Sequence, residues 1–164
     1  MSLPRREVIS VGIAIVAMAP GNRSWALEAP MSEGETRRNK AIIADFIERV
    51  WRQGLLNELP AFWTDDCVNH ADPGPANRGL IELRRYHQRF SQAFEGFSSP
   101  SIEIVQQVAE RDRVVTQLVT HATHLASGKA VSLATIRIDR LSGGRIAEHW
   151  SVADMAGLMQ QISS

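Results

Sequence analysis

The stretch GGRIAEHWSVADMAGL, residues 143–158, decides how this chain is read. A Gly-Gly turn opens it, a strand-like run follows, and Asp154 stands directly before MAGLMQQI, a short segment of helical spacing. Successive side chains on a strand alternate faces, so Ile146, Glu148, Trp150, Val152 and Asp154 share one side while Ala147, His149 and Ser151 take the other. With Ile146, Trp150 and Val152 marking the core side, Asp154 is carried inward. A carboxylate there is costly unless it is hydrogen-bonded, or unless a raised proton affinity serves chemistry.

Upstream, SIEIVQQVAE (101–110), RVVTQLVTHATHL (113–125) and AVSLATIRIDRL (130–141) are rich in Val, Ile and Thr and are separated by the turn signals ERDR, ASGK and SGG. With the last strand they predict a four-stranded antiparallel meander. On RVVTQLVTHATHL, parity places Val114, Thr116, Leu118, Thr120, Ala122 and His124 on one face and Val115, Val119 and His121 on the other. Both faces are partly apolar, which predicts helices on the concave side and either a homodimer through the convex one or a thinly covered sheet with scattered surface valines.

Before Pro100 the period is helical. ETRRNKAIIADFIERVWRQG (35–54) spaces Ile42, Ile43, Phe46, Ile47, Val50 and Trp51 as one stripe, and Ser32 with Glu35 forms a candidate capping box. A short helical piece follows near Leu59–Trp63, then DDCVNHADPGPANRG (65–79) carries a brief strand into a Pro and Gly loop. LIELRRYHQRFSQAF (80–94) is a third helix whose Leu83, Tyr86, Phe90 and Phe94 face the core. Helices first and a sheet after make an α+β domain.

The N-terminal residues have the zones of an export signal: Arg5 and Arg6, the apolar run VISVGIAIVAMA, and PGNRSWA ending in a small-residue triplet. Residues 1–26 are expected to be removed, the Arg pair resembling a weak twin-arginine signal, giving a periplasmic or secreted protein with no membrane segment after cleavage; the alternative is an uncleaved amphipathic tail or membrane anchor. Residues 27–38 are expected as linker, LEAPMSEG (27–34) being its clearest part, and 39–164 as the domain. Net charge is +0 with no block of one sign, which argues against a nucleic-acid partner. The single cysteine, Cys67, cannot form an internal disulfide and is expected to be a small buried residue. Zinc spacings, phosphate loops and a nucleophile elbow are missing, which leaves a structural zinc site, nucleotide binding and serine hydrolase chemistry without support.

The order of helices, then CVNHADP, THATHLA and GGRIAEHWSVADMAGLMQQI, resembles the SnoaL-like polyketide cyclases, or ester cyclases, of the nuclear transport factor 2-like superfamily, over about Asn39 to Ile162. The ending, Gly-basic-Ile-x-Glu-x-Trp followed by Asp, is its most specific part. The resemblance implies a cone (nuclear transport factor 2-like, cystatin-like): a strongly curved antiparallel sheet around N-terminal helices, enclosing a deep apolar pocket. It implies Asp154 as general acid/base, with His124 of the Thr123-His124 pair and His70 of VNHADP in the same pocket and Trp150 on its wall. Trp63, Phe90 and Leu118 complete the expected substrate-binding set. Between the Thr-His pair and the next strand the family usually has a longer loop, where this chain runs THLASGKAVS.

Each of these residues has a plainer use. Asp154 precedes a helix and could cap it; His124 could be a core histidine, and His70 could hold the loop after it. Glu148 could be a second pocket carboxylate or an arginine partner. Parity places His121 and His149 outside the pocket, and His87 lies on a helix among polar residues. An epoxide hydrolase of the same superfamily needs an Arg and two Asp around a water; Arg137 and Asp139 share parity but lie on the strand after the one required. The expected function is therefore a cofactor-free enzyme that removes a proton next to a carbonyl in an apolar substrate, with Asp154 as base, a reaction that needs neither metal nor organic cofactor. The alternatives are an exported module that binds such a molecule unchanged, and a dimeric scaffold without a ligand.

Overall fold

The computed structural model describes residues 32–163 except 73, 75 and 76. The expected export signal and the linker before Ser32 lie outside the described residues. Helix α1, Glu33–Phe46, begins inside the expected linker, because Ser32 and Glu35 close a complete capping box that satisfies its first free N–H groups. The helix continues as a wider π-helical turn over Ile47–Arg52, in which Gln53 N–H reaches back five residues to the Glu48 carbonyl at 3.1 Å. That extra residue lets adjacent Val50 and Trp51 both point inward, Val50 into the core and Trp51 onto a cavity.

A single 3₁₀ turn (Leu56–Glu58) leads into α2, Leu59–Phe62, and then β1, Trp63–Asn69. After the Pro and Gly loop come α3, Leu80–Ala93, and the strands β2 (Phe97–Glu110), β3 (Arg113–His124), β4 (Ala130–Ser142) and β5 (Arg145–Ala153). Helix α4, Met155–Ser163, closes the chain. The sheet order is β1-β5-β4-β3-β2, with β2 to β5 an antiparallel meander and β1 added parallel to β5. Gly143 and Gly144 both have positive φ, +57° and +78°, which is what the tight β4–β5 connection requires of its two central residues. The fold is the α+β architecture expected, helices followed by a curved antiparallel sheet.

The main core joins Ile43, Phe46, Ile47 and Val50 to Phe62, Trp63, Leu83, Val114, Leu118 and Ile146, and Cys67 is buried in it as expected. A smaller cluster of Val131, Leu133 and Leu158 holds α4 to the sheet. Val105, Val115, Ile136 and Val152 remain exposed on the outer side.

Strand β5 corrects one expectation. Arg140 pairs with Glu148 but Leu141 pairs with Ile146, so Ala147 is an extra residue with no partner of its own, a β-bulge. A one-residue shift reverses every face beyond it. Ile146 still points inward at 0% exposure, but past the bulge His149, Ser151 and Ala153 line the interior while Val152 is 76% exposed.

Candidate active site

Between α3, the π-helical turn, α4 and the inner face of the sheet lies a cavity of about 490 Å³. One wall is aromatic. Trp51 and Phe90 stack at 6.2 Å and 22°, and Phe90 meets Phe94 at 4.8 Å. The facing wall, from β3, β4 and β5, carries Thr120, Ala122, Leu133, Thr135, Ser151 and Ala153.

Polar chemistry is concentrated at one end, where Tyr86, His87 and His149 line the cavity. Behind them Arg137 and Asp139 are both fully buried. Their alternation with outward Ile136 and Ile138 reverses the pattern of an ordinary half-buried strand. Arg137 Nε and Nη2 donate to Asp139 Oδ2 and Oδ1, each at 2.7 Å, the two-pronged geometry that suits a guanidinium and a carboxylate. The guanidinium carbon lies 4.9 Å from the Phe46 ring centre and 4.8 Å from that of Trp51, so two aromatic faces replace its lost hydration. His149 Nδ1 stands 2.9 Å from Asp139 Oδ1.

Burial pushes the Asp139 carboxyl up, yet Arg137 and His149 beside it outweigh this and hold it at about 2. Burial lowers His149 and the charge of Arg137 lowers it further, with Asp139 offsetting part of the shift. Burial likewise brings His87 down to about 3, with Arg137 and His149 adding to it. Near neutral pH Asp139 is therefore ionised and both imidazoles are neutral. A carboxylate accepts only, so the His149 proton sits on Nδ1 and the Nε2 lone pair is left for the cavity. Burial raises the Tyr86 phenol, and the negative charge of Asp72 adds to this. Among the described residues no group of three or more His, Cys, Asp or Glu is placed to hold a metal.

The sequence-predicted residues fall elsewhere. Asp154 is exposed and does not line the cavity; its Oδ1 accepts from Gly157 N–H at 2.8 Å, capping α4. The β5 bulge is the reason, since beyond Ala147 the parity that carried Asp154 inward is inverted. His124 ends β3, with Nδ1 2.8 Å from Ser127 Oγ and its ring against Phe97. Behind it the β3–β4 turn is short, with Gly128 N–H bonded to the His124 carbonyl at 2.8 Å. His70 stacks on Trp150 at 4.5 Å and 3°, its Nε2 lying 2.9 Å from Glu148 Oε2, and Arg140 also bonds Glu148. Trp150 is thus on the other side of β5 from His149, not on the pocket wall. Trp63 and Leu118 are core residues behind the cavity, and Phe90 lines it. Asp154, His124 and His70 are not brought together.

Simple alternation puts His149 outside the pocket, and His87 has polar neighbours along its helix, yet both line the cavity. The available signals were IRID at 136–139, charges alternating with isoleucines, and the four-residue step from Leu83 to His87 on the core side of α3.

The family model of SnoaL-like polyketide cyclases matches residues 41–162. Among solved structures, the fold is similar to a SnoaL-like polyketide cyclase of Agrobacterium tumefaciens (18% identity, 76% of this chain and 97% of that one, TM-score 0.60). It is also similar to IdmH, a candidate polyketide cyclase of Streptomyces antibioticus (24% identity, 77% and 99%, TM-score 0.65). A third similar structure is a candidate polyketide cyclase of Acidithiobacillus ferrooxidans (22% identity, 81% and 98%, TM-score 0.65). No curated protein matches the sequence.

Proposed function

The chain belongs to the SnoaL-like polyketide cyclase family, and from that premise we propose a cofactor-free acid/base enzyme in which His149, not Asp154, removes a proton from carbon next to a carbonyl. The observation that supports this reading is the buried chain Arg137–Asp139–His149 ending on an otherwise largely apolar cavity. His149 Nε2 takes the proton, the C–H electron pair becomes the C=C bond of an enolate, and the carbonyl π pair moves to oxygen. Attack of the enolate carbon on a second carbonyl of the same molecule would close a ring, and the imidazolium would return its proton to the new alkoxide. Asp139 fixes the tautomer and offsets the imidazolium charge, while Arg137 keeps Asp139 ionised.

A lowered imidazole is a weak base that is fully available at neutral pH. The carbon acid is therefore expected to be activated by two carbonyls, as in a 1,3-dicarbonyl compound, and to carry a flat apolar portion for the aromatic wall.

Ethyl benzoylacetate in D₂O tests the reading by NMR of its central CH₂. Exchange is expected to run about 10²-fold or more faster with the wild type than with His149→Asn. Equal rates would overturn it, and a probe that binds without exchange would leave a binding module. Residues 1–26 are proposed as an export signal, which N-terminal sequencing of protein recovered from its host would check.

A further inference from the structure

His87 is 5% exposed, lines the cavity from α3, and has an Nε2 fully buried with no hydrogen-bond partner among the described residues. An N–H left unpaired there would cost about 1–3 kcal/mol, so the ring proton belongs on Nδ1, the nitrogen that is not sealed off in this way. The ring is held rather than mobile: Phe46, Trp51 and Tyr86 pack edge-on to it at 6.1, 6.4 and 5.6 Å.

Arg137 Nη1 is a second buried atom without a partner among the described residues, and Arg137 packs on the same Phe46 and Trp51 rings as His87. A guanidinium only donates, so it favours a lone pair on the imidazole nitrogen nearest to it. The Arg137 charge close by thus also favours a lone pair over an N–H on the sealed nitrogen Nε2, with the ring proton on Nδ1. His149 holds its proton on Nδ1 as well, but Asp139 consumes it. The two imidazoles thus present opposite functions to the cavity, a lone pair from His149 and an N–H from His87.

We infer that His87 is a hydrogen-bond donor, through Nδ1–H, to the ligand carbonyl oxygen on which negative charge develops as His149 removes the proton. The assignment rests on the carbon-acid reading of this cavity and deepens it. A neutral imidazole suits the task, since it donates without first losing its proton to the enolate, and the fixed donor needs no reorganisation as charge moves to oxygen.

Two measurements on the full chain separate this assignment from the catalytic reading. 2-Acetylnaphthalene and 2-ethylnaphthalene fit the same slot and differ by one carbonyl oxygen, which can only accept. The wild type is expected to bind the ketone about tenfold more tightly, His149→Asn to keep that preference, and His87→Phe to lose it. With ethyl benzoylacetate, His87→Phe is expected to lower kcat for exchange about 10²-fold with KM within threefold, and His87→Gln, which keeps an N–H donor, to recover part of it. A purely structural role would instead lower Tm, raise KM and give no recovery with Gln. No ketone preference in the wild type, or one that survives in both His87 variants, overturns the assignment. Exchange undiminished in the folded His87 variants also overturns it and leaves His149 as base; a preference lost in them without exchange in any protein supports the donor while removing the catalytic reading.

Discussion

Asp139 accepts hydrogen bonds from Arg137 Nε and Nη2 and shares a third with His149, all where it has no exposure. Such a residue ties stability to pH together with its neighbours. Because the folded Asp139 carboxyl is held at about 2, below its ordinary 3.8, its contribution is present above 3.8 and is lost as pH falls toward 2. His87 acts earlier. Its folded value of about 3 lies below the ordinary 6.5, so between those limits the unfolded chain binds a proton that the folded chain refuses, and stability falls as pH falls. Going from pH 6.5 to 5 is expected to cost about 2 kcal/mol through His87, measured by urea unfolding, and His87→Phe should remove that part of the slope. Asp154 belongs to a different kind of residue. Asp154→Ala is expected to lower stability by about 1 kcal/mol through the lost cap, whereas Asp154→Asn keeps the cap and leaves exchange of ethyl benzoylacetate unchanged.

Two elements depart from ideal periodicity, and both departures shape the cavity. The π-helical turn after α1 brings Trp51 over Arg137, and the Ala147 bulge turns His149 inward opposite Asp139. Deleting Ala147 would restore simple alternation and drive His149 outward against the pairing of the rest of β5. The expected result is loss of cooperative unfolding in a thermal melt monitored by circular dichroism. Helix α4 gives a milder test. A Gly→Ala change inside a helix normally adds about 1 kcal/mol, but a Cβ at Gly157 would collide with the Asp154 carboxylate that caps the helix. Gly157→Ala is therefore expected to show no net gain by urea unfolding.

Across the whole molecule, the ion pair behind the cavity also forms the centre of the fold, packed against the Phe46 ring that touches Trp51, Phe62 and Trp63. Arg137→Met leaves Asp139 buried without its charge partner and is expected to cost about 3–5 kcal/mol. Combining it with Asp139→Leu should recover most of that loss in urea unfolding while exchange stays absent, because His149 has lost the group that orients it. The order of helices and strands, the Ser32 cap, the tight turns and the family are legible in the residues alone, since these follow from local spacing, turn chemistry and motifs between neighbours in the chain. The inward residues of β3 were legible for the same reason: its paired stretch with β4 runs without a shift from Arg113 to Thr123. Which face of β5 looks inward was settled by strand pairing in three dimensions, because one unpaired residue in a ladder leaves no mark in hydrophobic alternation. Three-dimensional packing likewise set the chemistry at the cavity's end. Asp139, His149, Arg137 and His87 become a unit only through strand register and helix packing, which together supply the burial and the neighbouring charge that set their protonation.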